Sequence, residues 1–263
     1  MNVRAHDISV RLAGRLILCG IDFTARAGEV TIIIGPNGSG KTTLMRALTG
    51  ELACSGNVSI NGRWLRHYRH ADLAALRAVL PQETTLAFPF TVREIVQMGI
   101  SSASHAAGGR RARERIDEAL SRVDLAGFAG RFYQELSGGE RQRVQLARVL
   151  CQIWEPQIAG KPRWLFLDEP VSSLDIRHQI AIMDIARDYA AAGGGVIAVM
   201  HDLNLSVMYA DAIVAISGGQ IAAAGPPADV LTEALLSDVF GCALKPGQTP
   251  ADRMFVLPHS ARI

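Results

Sequence analysis

Gly35-Pro36-Asn37-Gly38-Ser39-Gly40-Lys41-Thr42-Thr43 meets the pattern G-x-x-x-x-G-K-[ST] at every constrained position. Val30-Thr31-Ile32-Ile33-Ile34 before it reads as a buried strand, and Leu44-Met45-Arg46-Ala47-Leu48 after it reads as a helix. Glycines let the backbone curl so that successive N–H groups face inward and form a nest for phosphate oxygens. The following helix adds the positive end of its dipole. Lys41 brings a mobile charge for β- and γ-phosphates, and Thr42 a hydroxyl for Mg2+. A strand, loop and helix of this kind mark a nucleotide site and leave open what the nucleotide is used for.

Working outward, the 263 residues are 49% hydrophobic and 20% charged, and suit one large α/β domain or two fused subdomains. A formal net charge of +2 demands no nucleic-acid partner. The one basic cluster, Arg110-Arg111-Ala112-Arg113-Glu114-Arg115, reads as a solvated helix face. Cys19, Cys54, Cys151 and Cys242 form no C-x-x-C pair, which argues against a zinc site or a disulfide framework and fits a reducing compartment. Residues 1–7 turn polar at once, so no signal peptide is expected. The longest uncharged apolar-leaning run, 189–200, contains three glycines and falls short of the roughly 20 residues a membrane span needs.

Residues 3–29 alternate apolar and polar in short runs broken by Gly14, Gly20 and Gly28, which predicts antiparallel strands. Residues 57–62 and 79–82 predict two further short strands, the second stopped by Pro81. From Thr91 the period changes. Thr91-Val92-Arg93-Glu94 has capping-box spacing, with Ile95, Val96 and Met98 continuing an amphipathic helix. A Ser/Ala/Gly stretch, 101–109, then separates this helix from one over 111–122. Residues 91–151 are therefore expected as a helical insertion in a parallel-sheet core. Residues 1–90 hold the antiparallel strands and the start of that core, and 152–263 its remainder and tail, all within one domain. Trp164-Leu165-Phe166-Leu167 and Val196-Ile197-Ala198-Val199-Met200 read as strands buried on both faces. Each places polar chemistry just beyond its carboxyl end, the edge where ligands bind in open α/β sheets. A hairpin over 213–222 and a helical tail over 227–240 complete the reading.

Asp168 follows four bulky apolar residues, the Walker B arrangement, from which a carboxylate can hold Mg2+ opposite the Thr42 hydroxyl. Glu169, one step further out, can orient or deprotonate a water attacking the γ-phosphate. In Leu136-Ser137-Gly138-Gly139-Glu140 the serine caps a helix over 141–151 and Glu140 completes the box. Val144, Ala147, Leu150 and Cys151 lie on one side of that helix. Gly138 and Gly139 leave its first amides bare, a second anion site that one nucleotide does not obviously need. Alone, this segment reads as an ordinary capped helix.

It does not stand alone. The chain resembles the nucleotide-binding subunits of ATP-binding-cassette (ABC) transporters nearly end to end. The motifs stand in the family's order: the phosphate loop, Gln82 as the Q-loop, residues 136–140 as the family motif, Asp168-Glu169 as Walker B, Ser172-Ser173-Leu174-Asp175 as the D-loop, and His201 as the switch histidine. The resemblance implies a P-loop NTPase (RecA-like) core, mainly parallel, with an N-terminal antiparallel β subdomain and an inserted α-helical subdomain. It also implies a head-to-tail homodimer with ATP and Mg2+ sandwiched between subunits. Ser137, Gly138 and Gly139 of one subunit then cap the γ-phosphate held by Lys41 of the other, which gives the second anion site a purpose. By the same resemblance Gln82 touches Mg2+ and the attacking water, His201 contacts the γ-phosphate and supports Glu169, and Asp175 lies across the dimer interface. Where the family stacks an aromatic ring on adenine this chain has Leu12, which offers apolar contact without a π-face.

Residues 88–99, with His201-Asp202-Leu203-Asn204-Leu205 and Tyr209-Ala210-Asp211, resemble ATPases of bacterial importers for iron chelates, cobalamin and heme. The extra residues 153–164 resemble the hemin importers in particular. The expected partners are a second copy of the chain, a transmembrane permease dimer and, indirectly, a periplasmic substrate-binding protein. The expected location is the cytoplasmic face of the inner membrane. The segment near Gln82 and 88–98 is the expected permease-docking surface. A siderophore or cobalamin importer is the alternative, and an ABC ATPase without a transporter is a more distant one, since no coiled-coil insertion or second cassette is present. A GTPase is disfavoured because no Asn-Lys-x-Asp segment occurs.

Overall fold

The computed structural model describes residues 1–82, 88–100, 109–249, 252 and 254–261. The Ser/Ala/Gly stretch expected before the second helix falls, save Gly109, outside them. At the centre is a six-stranded sheet in the order β12-β11-β3-β10-β9-β6. Its members are β3 (Val30–Ile34), β6 (Arg77–Leu80), β9 (Trp164–Asp168), β10 (Gly195–Val199), β11 (Ala212–Ser217) and β12 (Gln220–Gly225). All neighbours pair in parallel except β11 with β12, which form the expected hairpin at one edge.

The apolar runs are continuous because both faces of this sheet are covered. Leu165 and Leu167 of β9 face one core, and Trp164 and Phe166 the other. In β10, Val196 and Ala198 divide from Ile197 and Val199 in the same way. Each fully buried side chain of this size contributes about 2 kcal/mol.

Over the Trp164/Phe166 face lie α1 (Lys41–Thr49) and a four-stranded antiparallel sheet in the order β2-β1-β4-β5. That sheet comprises β1 (Asn2–Leu12), β2 (Arg15–Arg26), β4 (Ser55–Ile60) and β5 (Arg63–Trp64). Over the other face pack α3 (Val92–Gln97), α4 (Gly109–Arg122), α5 (Gly138–Gln152), α6 (Ile176–Ala191) and α7 (Leu203–Tyr209). The short α2 (His70–Leu76) precedes β6. The tail forms α8 (Pro227–Val230) and α9 (Glu233–Phe240), separated where Thr232 caps the second helix.

Three local readings change. Met98 does not continue the buried stripe of α3: Val92, Ile95 and Val96 are buried, while Met98 is the C-cap and 55% exposed. Helix α5 is buried almost all round, including Arg143 and Gln145, because α3, α4 and β6 enclose it; its apolar side is wider than four residues. The extra residues 153–164 contain a two-stranded hairpin, β7 (Gln157–Ile158) with β8 (Lys161–Pro162).

Candidate nucleotide site

The phosphate loop leaves the carboxyl end of β3 in the middle of the sheet. Gly35 and Gly40 have φ of 153° and 106°, and a Cβ on Gly35 would sit 2.2 Å from the Ile216 carbonyl oxygen. At Gly40, strand β2 crowds in, with Leu18 2.7 Å and the Ile17 carbonyl 3.4 Å from the position a Cβ would take. No side chain caps the first amides of α1, so its positive end remains available to an anion. Ser39 Oγ is buried without a hydrogen-bond partner among the described residues, a donor suited to a phosphate oxygen. Lys41 Nζ donates to the Gly35 and Pro36 carbonyls, both at 3.0 Å. Burial lowers the Lys41 pKa, against the attraction of Glu169 and Asp168. The loop is thus built for an anion that would favour the charged lysine.

Asp168 ends β9 and is 4% exposed. Its Oδ1 accepts the Thr42 hydroxyl at 3.2 Å. Burial pushes its pKa up, and the bond from Thr42 offsets part of that rise. A hydroxyl and one buried carboxylate oxygen are hard donors that fit Mg2+, which takes one or two carboxylates and fills its shell with phosphate oxygens and water. No cluster of three or more His, Cys, Asp or Glu among the described residues could hold a metal without such help.

Glu169 takes the left-handed conformation, φ 51°, uncommon for a residue with a side chain. Its backbone is fixed on both sides: its amide donates to the Val199 carbonyl at 3.1 Å, and its own carbonyl accepts from Gln142 Nε2 at 2.9 Å and Ser172 Oγ at 3.2 Å. Strain of this kind, about 1–3 kcal/mol, persists where neighbours enforce it. The carboxylate is thereby held between two side chains, with Oε1 2.6 Å from His201 Nε2 and Oε2 accepting from Gln82 Nε2 at 2.9 Å. Three strand ends meet here: β9 ends in Asp168 with Glu169 just beyond it, His201 lies two residues beyond β10, and Gln82 two residues beyond β6. Gln142, on α5, was not singled out in the sequence, because its role is to hold a backbone carbonyl and nothing in residue type announces that.

Ser137 caps α5, its hydroxyl accepting from the Glu140 amide at 3.3 Å while Glu140 accepts the Ser137 amide at 2.7 Å. A Cβ on Gly138 would meet nothing within 4 Å, so α5 faces open space at that position; one on Gly139 would meet Leu174 at 2.9 Å. Within one chain, no hydrogen bond joins Ser137, Gly138 or Gly139 to the phosphate loop among the described residues. Asp175 caps α6, accepting the His178 amide at 3.0 Å. Leu12 lies at the end of β1, paired with Arg15 and 38% exposed; it is Ile17 and Leu18, further on in β2, that pack against Gly40.

A phosphate loop on the central strand, a buried carboxylate beside its threonine and a braced glutamate beyond it define a P-loop nucleotide-binding protein. The family model described as "ABC transporter" matches residues 18–172, more than half of the chain. The chain belongs to the ABC transporter family. Among curated relatives, the hemin import ATP-binding protein of Mesorhizobium japonicum is 59% identical over 98% of this chain and 99% of its own. That of Ruegeria sp. is 56% identical over the whole of both. Among solved structures, an ATP binding subunit of an ABC transporter superposes with a TM-score of 0.77 at 22% identity, over 92% of this chain and 98% of that one. The cbiO1 protein of Clostridium perfringens, part of an ABC transporter complex, gives 0.73 at 26% identity, over 90% and 92%.

Proposed function

We propose that this chain is the ATP-hydrolysing subunit that powers import of hemin across a bacterial inner membrane. The observation that carries the substrate is the 59% identity, nearly end to end, with a hemin import ATP-binding protein. The chain works as a head-to-tail homodimer docked on a transmembrane permease at the cytoplasmic face, the permease receiving its cargo from a periplasmic binding protein. No helix among the described residues is long and apolar enough to cross a membrane, in keeping with a peripheral subunit.

In this reading Lys41 exchanges its two loop carbonyls for β- and γ-phosphate oxygens of ATP, joined by Ser39 and the amides of Gly38, Gly40, Thr42 and Thr43. Thr42, Asp168 and Gln82 hold Mg2+, which when bound neutralises charge on the phosphates. Glu169 accepts a proton from water as its oxygen bonds to the γ-phosphorus and the bond to the β–γ bridging oxygen breaks, releasing ADP and phosphate. His201 and Gln82, one at each oxygen of Glu169, fix its orientation. Ser137, Gly138 and Gly139 complete the site of the partner subunit, with Asp175 beside them, and Leu12 gives apolar contact to adenine. Two half-sites with no hydrogen bond between them among the described residues of one chain are completed by a second chain.

For the permease, Phe88 and Met98 are, among the described residues, the large exposed apolar groups nearest Gln82 in sequence, 68% and 55% exposed. Phe90 is partly buried in the core, and Arg93 is tied to Asp117 at 3.0 Å. Docking is therefore assigned to Phe88 and Met98, with Phe90 and Arg93 supporting them. The functional test uses a bacterium lacking its own hemin import ATPase, with hemin as sole iron source. Restored growth with this chain, and none with Lys41→Ala, is expected. Restored growth on a ferric siderophore but not on hemin would overturn the substrate.

A further inference from the structure

Asp175 does more than cap a helix. Both of its carboxylate oxygens lie 2.9 Å from Nδ1 of His178, the residue whose amide it also accepts. The other ring nitrogen, Nε2, lies 3.4 Å from Oδ2 of Asp124, in the turn that follows α4. That turn is itself fixed. Asp124 takes a left-handed φ of 56°, and Nη1 of Arg143 on α5 donates to the carbonyls of Val123 and Asp124 at 3.0 and 2.9 Å. Arg177 adds a looser contact to the same Asp124 oxygen at 3.7 Å. The imidazole is 18% exposed while its two carboxylate partners are 65% and 61% exposed, so the ring is the packed element and the acids its arms.

Capping α6 needs only the Asp175 carboxylate and the His178 amide. A side-chain bridge onward to Asp124 adds nothing to that cap. What it joins is the loop after Glu169 to the helical layer, at the turn from which Arg143 reaches into α5. Helix α5 opens with Ser137, Gly138 and Gly139.

We infer that His178 is a positioning residue that holds Asp175 in register with the cap formed by Ser137, Gly138 and Gly139, so that one protomer presents the cap to its partner's nucleotide and Asp175 to its partner's surface as a single rigid unit. This rests on the shared-site reading above. Two groups that must meet one partner surface lose less freedom on assembly when they are already linked. His178 touches no nucleotide, and its effect appears only when two chains meet.

The experiment uses the full-length chain carrying Glu169→Gln, to which His178→Ala, Asp124→Gly (glycine tolerating the left-handed φ there) and both together are added. ATP-dependent dimerisation is followed by analytical ultracentrifugation, the affinity of the chain's own loop by titrating a fluorescent ATP analogue at low protein concentration, and folding by the melting temperature. Each single change is expected to weaken dimerisation about three- to tenfold, the double no more than either alone, with loop affinity unchanged and every chain folded at the assay temperature. His178→Asn, whose short side chain serves Asp175 but does not span to Asp124, behaves as the alanine does. Unaltered dimerisation in both single variants, effects that add in the double, or losses that track loop affinity or unfolding at the assay temperature overturn the inference. A parent chain that stays monomeric at saturating ATP overturns the shared-site reading instead, and the inference with it.

Discussion

His201 Nε2 lies 2.6 Å from Glu169 Oε1, although 32 residues and helix α6 separate the two along the chain. Parallel strands β9 and β10 bring them together in register, Val199 opposite Asp168, so Glu169 emerges one residue and His201 two residues beyond the sheet. In the proposed function the histidine supports the glutamate. His201→Ala is expected to lower turnover by about a hundredfold or more while leaving nucleotide affinity within about twofold, since no phosphate-loop bond depends on it. Steady-state kinetics beside equilibrium nucleotide titration check this split.

Asp168 carries a cost in the nucleotide-free fold. Its folded-state pKa lies above the ordinary 3.8 because it is buried. The fold then binds that proton more tightly than the unfolded chain does. Stability from this group rises as pH falls from the raised pKa toward 3.8, and the cost is fully present above it. Asp168→Asn keeps an oxygen for the Thr42 hydroxyl and removes the buried charge. It is expected to raise the melting temperature of the nucleotide-free chain at pH 7 by a few degrees, with most of that gain lost near pH 4, and to abolish Mg2+-dependent hydrolysis.

Gly99 stands where α3 meets α5, and a Cβ there would lie 1.9 Å from the backbone carbonyl oxygen of Arg148. A carbonyl inside a helix cannot step aside as a side-chain end can. Gly99→Ala is expected to destabilise the chain by about 1–3 kcal/mol in a denaturant melt, by forcing the two helices apart.

Gly138 is the opposite case, with open space where its Cβ would be. Gly138→Asp should leave the melting temperature and the loop's own nucleotide affinity unchanged. It is expected to cut turnover about a hundredfold or more, because a carboxylate would then face the phosphate held by the partner chain. Normal turnover in that variant would remove the first turn of α5 from the site.

Much of the core could be read from residue order alone. The runs ending at Ile34, Leu167 and Met200 had to be strands covered on both sides, and the polar groups after them had to share an edge; the last strand stops one residue earlier, at Val199. Period-two alternation likewise announced β1 and β2. The pairing of β4 against β1 rather than β2 was not legible, because alternation fixes faces and not neighbours. Met98 was placed wrongly because a six-residue helix ends before the stripe can repeat. The hairpin β7–β8 stayed hidden in a segment with too few residues to show any period. At the site, the residues proposed for phosphate and Mg2+ are picked out by residue type and spacing. Gln142 and His178 are not, since each acts on a backbone carbonyl or a carboxylate brought near only by the fold.

The central claim is that one chain holds half of each nucleotide site. It is tested most directly by ultracentrifugation of the Glu169→Gln chain with and without ATP. The account predicts a monomer without nucleotide, and with it a dimer containing two ATP molecules and turning over negligibly. A monomer at saturating ATP, or hydrolysis at the wild-type rate, would contradict it.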